Sequence, residues 1–197
     1  QERWAFGQGW TIERFSATLT SPQPAVLIGA PRNFSPSTSG PITSDVVHVK
    51  AASEADFAAY RGTLRGKIVI MQPVRAVRML EGPVILRMDD GPWWTEAATP
   101  QEPAPATQPP AGLAEAARAR QQFALAVQRF LVEEGVGVLL ERGNDNDTAA
   151  GGSDLTWRTQ MTDGGTVFPT SGGSRDPKVP AQVPSATLAV EHYNRLV

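Results

Sequence analysis

The chain has 197 residues, and its 18 Lys+Arg against 20 Asp+Glu leave a net charge of −2. At this length one domain, or slightly more than one, is expected, and the balanced charge excludes nucleic-acid binding through a basic face, which needs a Lys/Arg excess to neutralise phosphates. The absence of cysteine excludes disulfides, thiolate catalysis and cysteine-based zinc sites, and no run approaches the ~18 apolar residues of a membrane span.

The opening Gln1-Glu2-Arg3-Trp4 lacks the basic-then-apolar pattern of a secretory signal. Trp4 and Trp10 in WAFGQGW imply that this segment packs on something, either this domain or a neighbour. Ile12–Thr20 alternates imperfectly and reads as a strand. Asp45–Val49, Lys67–Gln72, Pro83–Met88, Val136–Leu140 and Ala186–Val190 are short β-branched or apolar runs bounded by Gly and Pro, the pattern of buried strands. Ser53–Tyr60 reads as a short helix with Ser53 as N-cap and Asp56 beneath it. Leu113–Glu134 is the one long helix, with apolar residues at three- and four-residue steps and Gly135 as its left-handed stop. A last short helix is expected over Glu191–Leu196.

Gly (18) and Pro (17) are enriched and cluster. Ala97–Pro110 carries five prolines and no aliphatic side chain larger than Ala, so it reads as an extended solvated link. It lies in a stretch, 75–111, that reads as an insertion. Gly143–Gly173 is a second loop-rich zone. The pattern as a whole predicts a mixed α/β (α+β) domain with a β-sandwich or open-barrel core and flanking helices.

Chemistry-bearing motifs are sparse. The two histidines, His48 in a strand and His192 at a helix start, read as a strand position and an inter-element hydrogen bond rather than as ligands. Asn144-Asp145-Asn146-Asp147 is oxygen-rich, but Ala149 stands where a calcium loop needs its next ligand, so a solvated turn is the plainer reading. Gly172-Gly173-Ser174 lacks the second glycine of a nucleophile elbow. Gly135-Val136-Gly137 follows a helix, not a strand, and so lacks the dinucleotide-binding context. Trp93-Trp94, beside the Pro-rich link, is either an exposed aromatic anchor or the closure of a sheet edge.

Six stretches in order, WAFGQGWTIERFSATLTSPQP, SGPITSDVVHV, FAAYRGTLRGKIVIM, RFLVEEGVGVLL, DGGTVF and VPSATLAVEHYNRLV, resemble the protease-associated (PA) domain. The nearest variant is the one inserted in bacterial zinc aminopeptidases of the family that includes glutamate carboxypeptidase and the transferrin receptor. The resemblance covers most of the chain outside Arg75–Ala111. It implies a PA-type β-sandwich or open barrel spanning 1–197, an internal domain of a larger periplasmic or secreted peptidase.

The family's paired zinc ions belong to its peptidase domain, so no catalytic or metal-binding residue carries over to this chain. No cofactor is expected here, and zinc is expected in the parent. The implied role is non-catalytic: a lid, substrate selection, or domain and subunit contacts. The expected partners are the parent's own peptidase domain, a peptide or protein substrate and a possible second copy, with no nucleic acid and no membrane span. Loops on a rigid sheet form such contacts, and the candidates are Trp93, Trp94, Gly164, Gly165, Ser171, Gly172 and Gly173. The alternative is a free-standing peptide- or protein-binding module. An independent hydrolase is disfavoured by the two histidines and the missing nucleophile elbow.

Overall fold

The computed structural model describes residues 7–75, 112–142, 167, 171–180 and 182–197. The expected strand Pro83–Met88, the Pro-rich link and the Asn144–Asp147 turn lie outside these residues, as does the 75–111 insertion apart from Arg75.

The described residues form a small mixed α/β domain with two sheets and a few helices. A two-stranded antiparallel sheet pairs β1 (Thr18–Leu19) with β2 (Ala25–Val26). The larger sheet holds β3 (Gly29–Pro31), β4 (Val46–His48), β5 (Ile68–Ile70), β6 (Val138–Glu141) and β7 (Ser185–Leu188) in the order β3-β7-β6-β5-β4. β4 to β7 are parallel, and β3 runs antiparallel along β7.

The parallel strands are laid down in one direction. Crossovers between parallel strands are right-handed, so consecutive steps in one direction place their helices on the same face. The 3-10 helix Glu54–Tyr60 links β4 to β5, and α1 (Leu113–Glu133) lies between β5 and β6. Both share one apolar cluster with Val69 and Leu139, and the rings of Phe57 and Phe130 stack with centroids 4.5 Å apart.

Strand periodicity divides the core in two. Val69 and Leu139 face α1, whereas Ile70, Leu140, Ala186 and Leu188 face the opposite side. There they meet Phe15, Ala17 and Leu19 of the N-terminal segment and Tyr193 of α2 (Val190–Asn194).

Local chemistry sets the element ends. The N–H groups of Ala52 and Ser53 both donate to the Asp56 carboxylate, at 2.9 and 2.8 Å, which fixes the start of the 3-10 helix. At the end of α1, Val136 N–H donates to Leu131 C=O and Gly135 N–H to Val132 C=O, with Gly135 at φ 68°. This six-to-one, five-to-two pair is a Schellman stop, and it turns the chain directly into β6.

Two expectations change at the element level. In Ile12–Thr20 the inward positions Phe15, Ala17 and Leu19 do alternate, but ladder pairing covers only Thr18–Leu19. The partner strand is two residues long and is entered from Pro24, which has no N–H to donate. The last strand ends at Leu188, and Val190 already opens α2, one residue before the expected helix start. β2 and β3 were not legible as strands, because each is only two or three residues long.

Candidate functional site

The α1-facing side of the large sheet changes character from one edge to the other. Over β4, β5 and β6 it is apolar and covered by helices. Beyond them, register places Ser185 and Thr187 of β7 on the same face as Leu139, with Glu141 opposite Thr187. Arg32 follows β3 on this face and donates its N–H to Ser185 C=O at 3.0 Å. The result is a polar strip, Arg32, Glu141, Ser185 and Thr187, where the apolar helix-packed region ends.

The Arg32 guanidinium crosses β7 to reach Glu141 Oε1 at 2.9 Å, with the two side chains 15% and 22% exposed. It also donates to the Ser171 carbonyl. Burial pushes the Glu141 carboxyl above its ordinary value, and Arg32 only partly offsets this. The hydroxyls of Ser185 and Thr187 are buried without a hydrogen-bond partner among the described residues. Unsatisfied buried hydroxyls are uncommon because each forfeits its bonds to water. The strip can therefore accept and donate hydrogen bonds to a polar group, but it holds no nucleophile–base pair.

The Ser171–Gly173 segment rests against this strip. Ser171 pairs with Asn33 in a parallel bridge, and Gly172 N–H donates to Asn33 C=O at 2.8 Å. A Cβ on Gly172 would lie 2.6 Å from both Arg32 Cβ and Ser185 Oγ. A Cβ on Gly173 would run into the Phe34 carbonyl. Ser35 Oγ accepts from Ser185 N–H at 2.8 Å, and Trp10 Nε1–H donates to Ser35 C=O at 3.0 Å. Trp10 thus packs on this domain, its ring 6.1 Å from that of Phe34.

A second polar group ties α2 to the strand exits. Tyr193 holds the Gln72 backbone, Gln72 Oε1 accepts from Arg142 N–H at 2.8 Å, and Asn194 exchanges two hydrogen bonds with the Arg75 backbone. Burial pushes the Tyr193 phenol up to about 12.

The two histidines stay apart. His48 lies on β4, three strand positions from β7, or ~14 Å at ~4.8 Å per strand. Burial and the nearby Lys50 lower its pKa. His192 lies on α2 and accepts the Ile28 N–H at Nδ1, at 2.6 Å. It makes the inter-element bond expected of it.

Of the candidate contact residues, Ser171 is exposed, Gly172 is buried and Gly173 is half-buried. Trp93, Trp94, Gly164, Gly165, Asp145 and Asp147 lie outside the described residues. Among the described residues no group of three or more His, Asp or Glu could hold a metal ion, and no helix is long and apolar enough to cross a membrane. The parallel strand order also never reverses, so the described sheet has no switch-point crevice of the nucleotide-binding kind.

Sequence reasoning missed Arg32, Glu141, Ser185, Thr187 and Tyr193. One signal was present: SATL alternates small hydroxyl with apolar residues, which in a strand puts both hydroxyls on one face. No family model, curated protein or solved structure matches the chain.

Proposed function

We propose that the chain is a non-catalytic protease-associated domain of a zinc aminopeptidase, acting as a lid or in substrate selection, with a periplasmic or secreted parent. In this reading the two sheets are parts of a PA-type sandwich or open barrel. The zinc and the catalytic residues belong to the peptidase domain, and a second copy is a further partner.

One observation carries the reading. Of the six stretches on which the sequence resemblance rests, four lie along the larger sheet: DVVHV on β4, GKIVI on β5, RFLVEEGVGVLL on the end of α1 and β6, and PSATLAVEHYNRL on β7 and α2; the first stretch carries β1 of the smaller sheet, and DGGTVF lies outside the described residues apart from Val167. In this reading those elements position the loops, and the Ser171–Gly173 segment is anchored on that framework beside Arg32.

The test begins with the reading frame around the chain. A flanking peptidase segment with spaced His, Asp and Glu residues is expected, and a frame leading into a non-catalytic region overturns the reading in favour of a free-standing binding module. In the full-length enzyme, replacing Trp93 and Trp94 with Ala should change kcat/KM for long peptides while sparing short ones. Values unchanged from the parent for both lengths would overturn the lid.

A further inference from the structure

The two edges of the large sheet are unlike. Along β3 the outer side is guarded: Leu27, just before it, donates its N–H to Ala17 C=O at 2.9 Å, and Pro31 has no N–H to offer. β4 forms the other edge and pairs only with β5. Val49 N–H donates to Ile70 C=O at 2.9 Å, so the odd-numbered residues of this stretch bond to β5. In a parallel ladder the residues between them point their backbone groups the other way. The N–H and C=O of Val46 and His48 therefore face away from the sheet, with no partner among the described residues.

Side chains of the 3-10 helix take the outward donors that follow. Lys50 N–H donates to Tyr60 Oη at 3.0 Å, and Ala52 N–H to Asp56 Oδ2 at 2.9 Å. The groups left open on β4 are the two donors and two acceptors of Val46 and His48, a template for a further strand. No charge lies between Asp45 and Lys50 to repel one. Burial and the nearby Lys50 lower the His48 pKa, so its ring is neutral at pH 7.

A second copy of the chain fits these groups in one register. Antiparallel pairing about a two-fold axis at His48 would set Val46 against Lys50 of the second copy, whose N–H Tyr60 already holds. An axis at Val46 would bring the two Asp45 residues to about 8 Å, from a rise of ~3.4 Å and a strand spacing of ~4.8 Å. An axis at Val47 pairs Val46 of each copy with His48 of the other, and every open group is used. The two Asp45 residues are then about 14 Å apart.

We propose that two copies of the chain associate through β4, paired antiparallel about Val47, so that their two large sheets become one. Four main-chain hydrogen bonds make a small interface, so the dissociation constant is expected on the order of 0.1 mM. The inference assigns a surface to the second copy, and it uses only backbone groups of β4, independently of the accessory-domain reading.

The chain has no cysteine, so single cysteines report the register. Val47→Cys sets two thiols in a non-hydrogen-bonded pair with Cα atoms about 4.5 Å apart, within disulfide reach. Asp45→Cys is the control: residue 45 is the more exposed, but its two copies lie too far apart to bridge. Under mild oxidation Val47→Cys should form disulfide dimers at least about tenfold faster than Asp45→Cys. Sedimentation equilibrium of the parent should show a monomer–dimer equilibrium. Val46→Pro removes an outward N–H and no ladder bond to β5, and should shift that equilibrium to monomer while melting as the parent does. His48→Lys, a charge on the open edge, gives the same comparison should Val46→Pro melt early. A parent that stays monomeric up to about 1 mM overturns the proposal and leaves the edge to a strand of another protein. Equal cross-linking by the two cysteines overturns it as well, as does a dimer that survives the edge variants.

Discussion

Tyr193 and Gln72 hold each other twice. The Gln72 N–H donates to Tyr193 Oη at 2.8 Å, and the Tyr193 hydroxyl donates to the Gln72 carbonyl at 2.8 Å. One phenol thus satisfies both backbone groups of a residue two positions past the end of β5, and ties α2 to the sheet. Tyr193→Phe keeps the buried ring and removes both bonds. It should cost about 1–3 kcal/mol, the penalty for leaving buried polar groups unpaired, read as a lower urea midpoint with unchanged slope. The same bond predicts an alkaline limit. The folded phenol titrates at about 12 against an ordinary 10.0, so the fold favours the protonated form. That contribution is complete below pH 10 and is lost as pH rises through 12. The melting temperature of the parent should fall across that window, and that component of the fall should be missing in Tyr193→Phe.

Arg32 and Glu141 are not equivalent halves of their ion pair. Arg32 also serves the Ser171 carbonyl, whereas burial makes the Glu141 charge costly. Removing Arg32 leaves a desolvated carboxylate, so Arg32→Ala should destabilise by about 2–3 kcal/mol, below the ~3–5 kcal/mol of fully buried pairs because both ends retain some solvent. Glu141→Gln keeps an acceptor for the guanidinium and removes the charge. A carboxyl raised by folding stabilises the fold most below pH 4.5 and loses that contribution as pH rises through its raised value. Glu141→Gln should therefore be neutral or stabilising at pH 7 in urea unfolding. A loss as large as that of Arg32→Ala would show that the charge itself stabilises the strip.

What the sequence made legible follows the physics of each signal. α1 and its Gly135 stop were readable because helix periodicity and a left-handed cap are local. β5 and β6 were readable because a strand buried on both faces is a continuous apolar run. β3 was not, since Gly29-Ala30-Pro31 owes its pairing to β7, more than 150 residues away, and not to any local preference. The same holds for the polar strip. Arg32 and Glu141 become partners only through strand order, and no spacing in the chain reports that. The Ser171–Gly173 segment was singled out for its loop chemistry, but what selects glycine there is contact with Arg32, Phe34 and Ser185.

That contact gives a graded prediction. A methyl at Gly172 would meet Arg32 Cβ and Ser185 Oγ at 2.6 Å, of which only the hydroxyl can swing aside, whereas a methyl at Gly173 would run still more closely into the backbone carbonyl of Phe34. Phe34 itself sits at φ 61° and has little freedom to retreat. Gly173→Ala should therefore destabilise more than Gly172→Ala, with both within the ~1–3 kcal/mol of overpacked sites. Gly40→Ala, with open space around the new methyl, is the control and should change stability little. Thermal unfolding of the three variants gives the order directly.

His192 supplies the remaining tie between α2 and the sheet. Its Nδ1 accepts the Ile28 N–H, and the neighbouring Ala189 N–H donates to the Ile28 carbonyl at 2.9 Å. Both backbone groups of Ile28, just before β3, are thus held by the start of α2. Accepting at Nδ1 requires that nitrogen to be unprotonated, which assigns the ring proton of the neutral form to Nε2. His192→Ala should release the Ile28 amide and cost about 0.5–1.5 kcal/mol, the net worth of one hydrogen bond at an exposed site. Hydrogen exchange localises the effect: the Ile28 amide should lose protection while those of β5 and β6 keep theirs. Loss of protection throughout β3 and β7 would instead mean that this one bond secures the whole antiparallel edge.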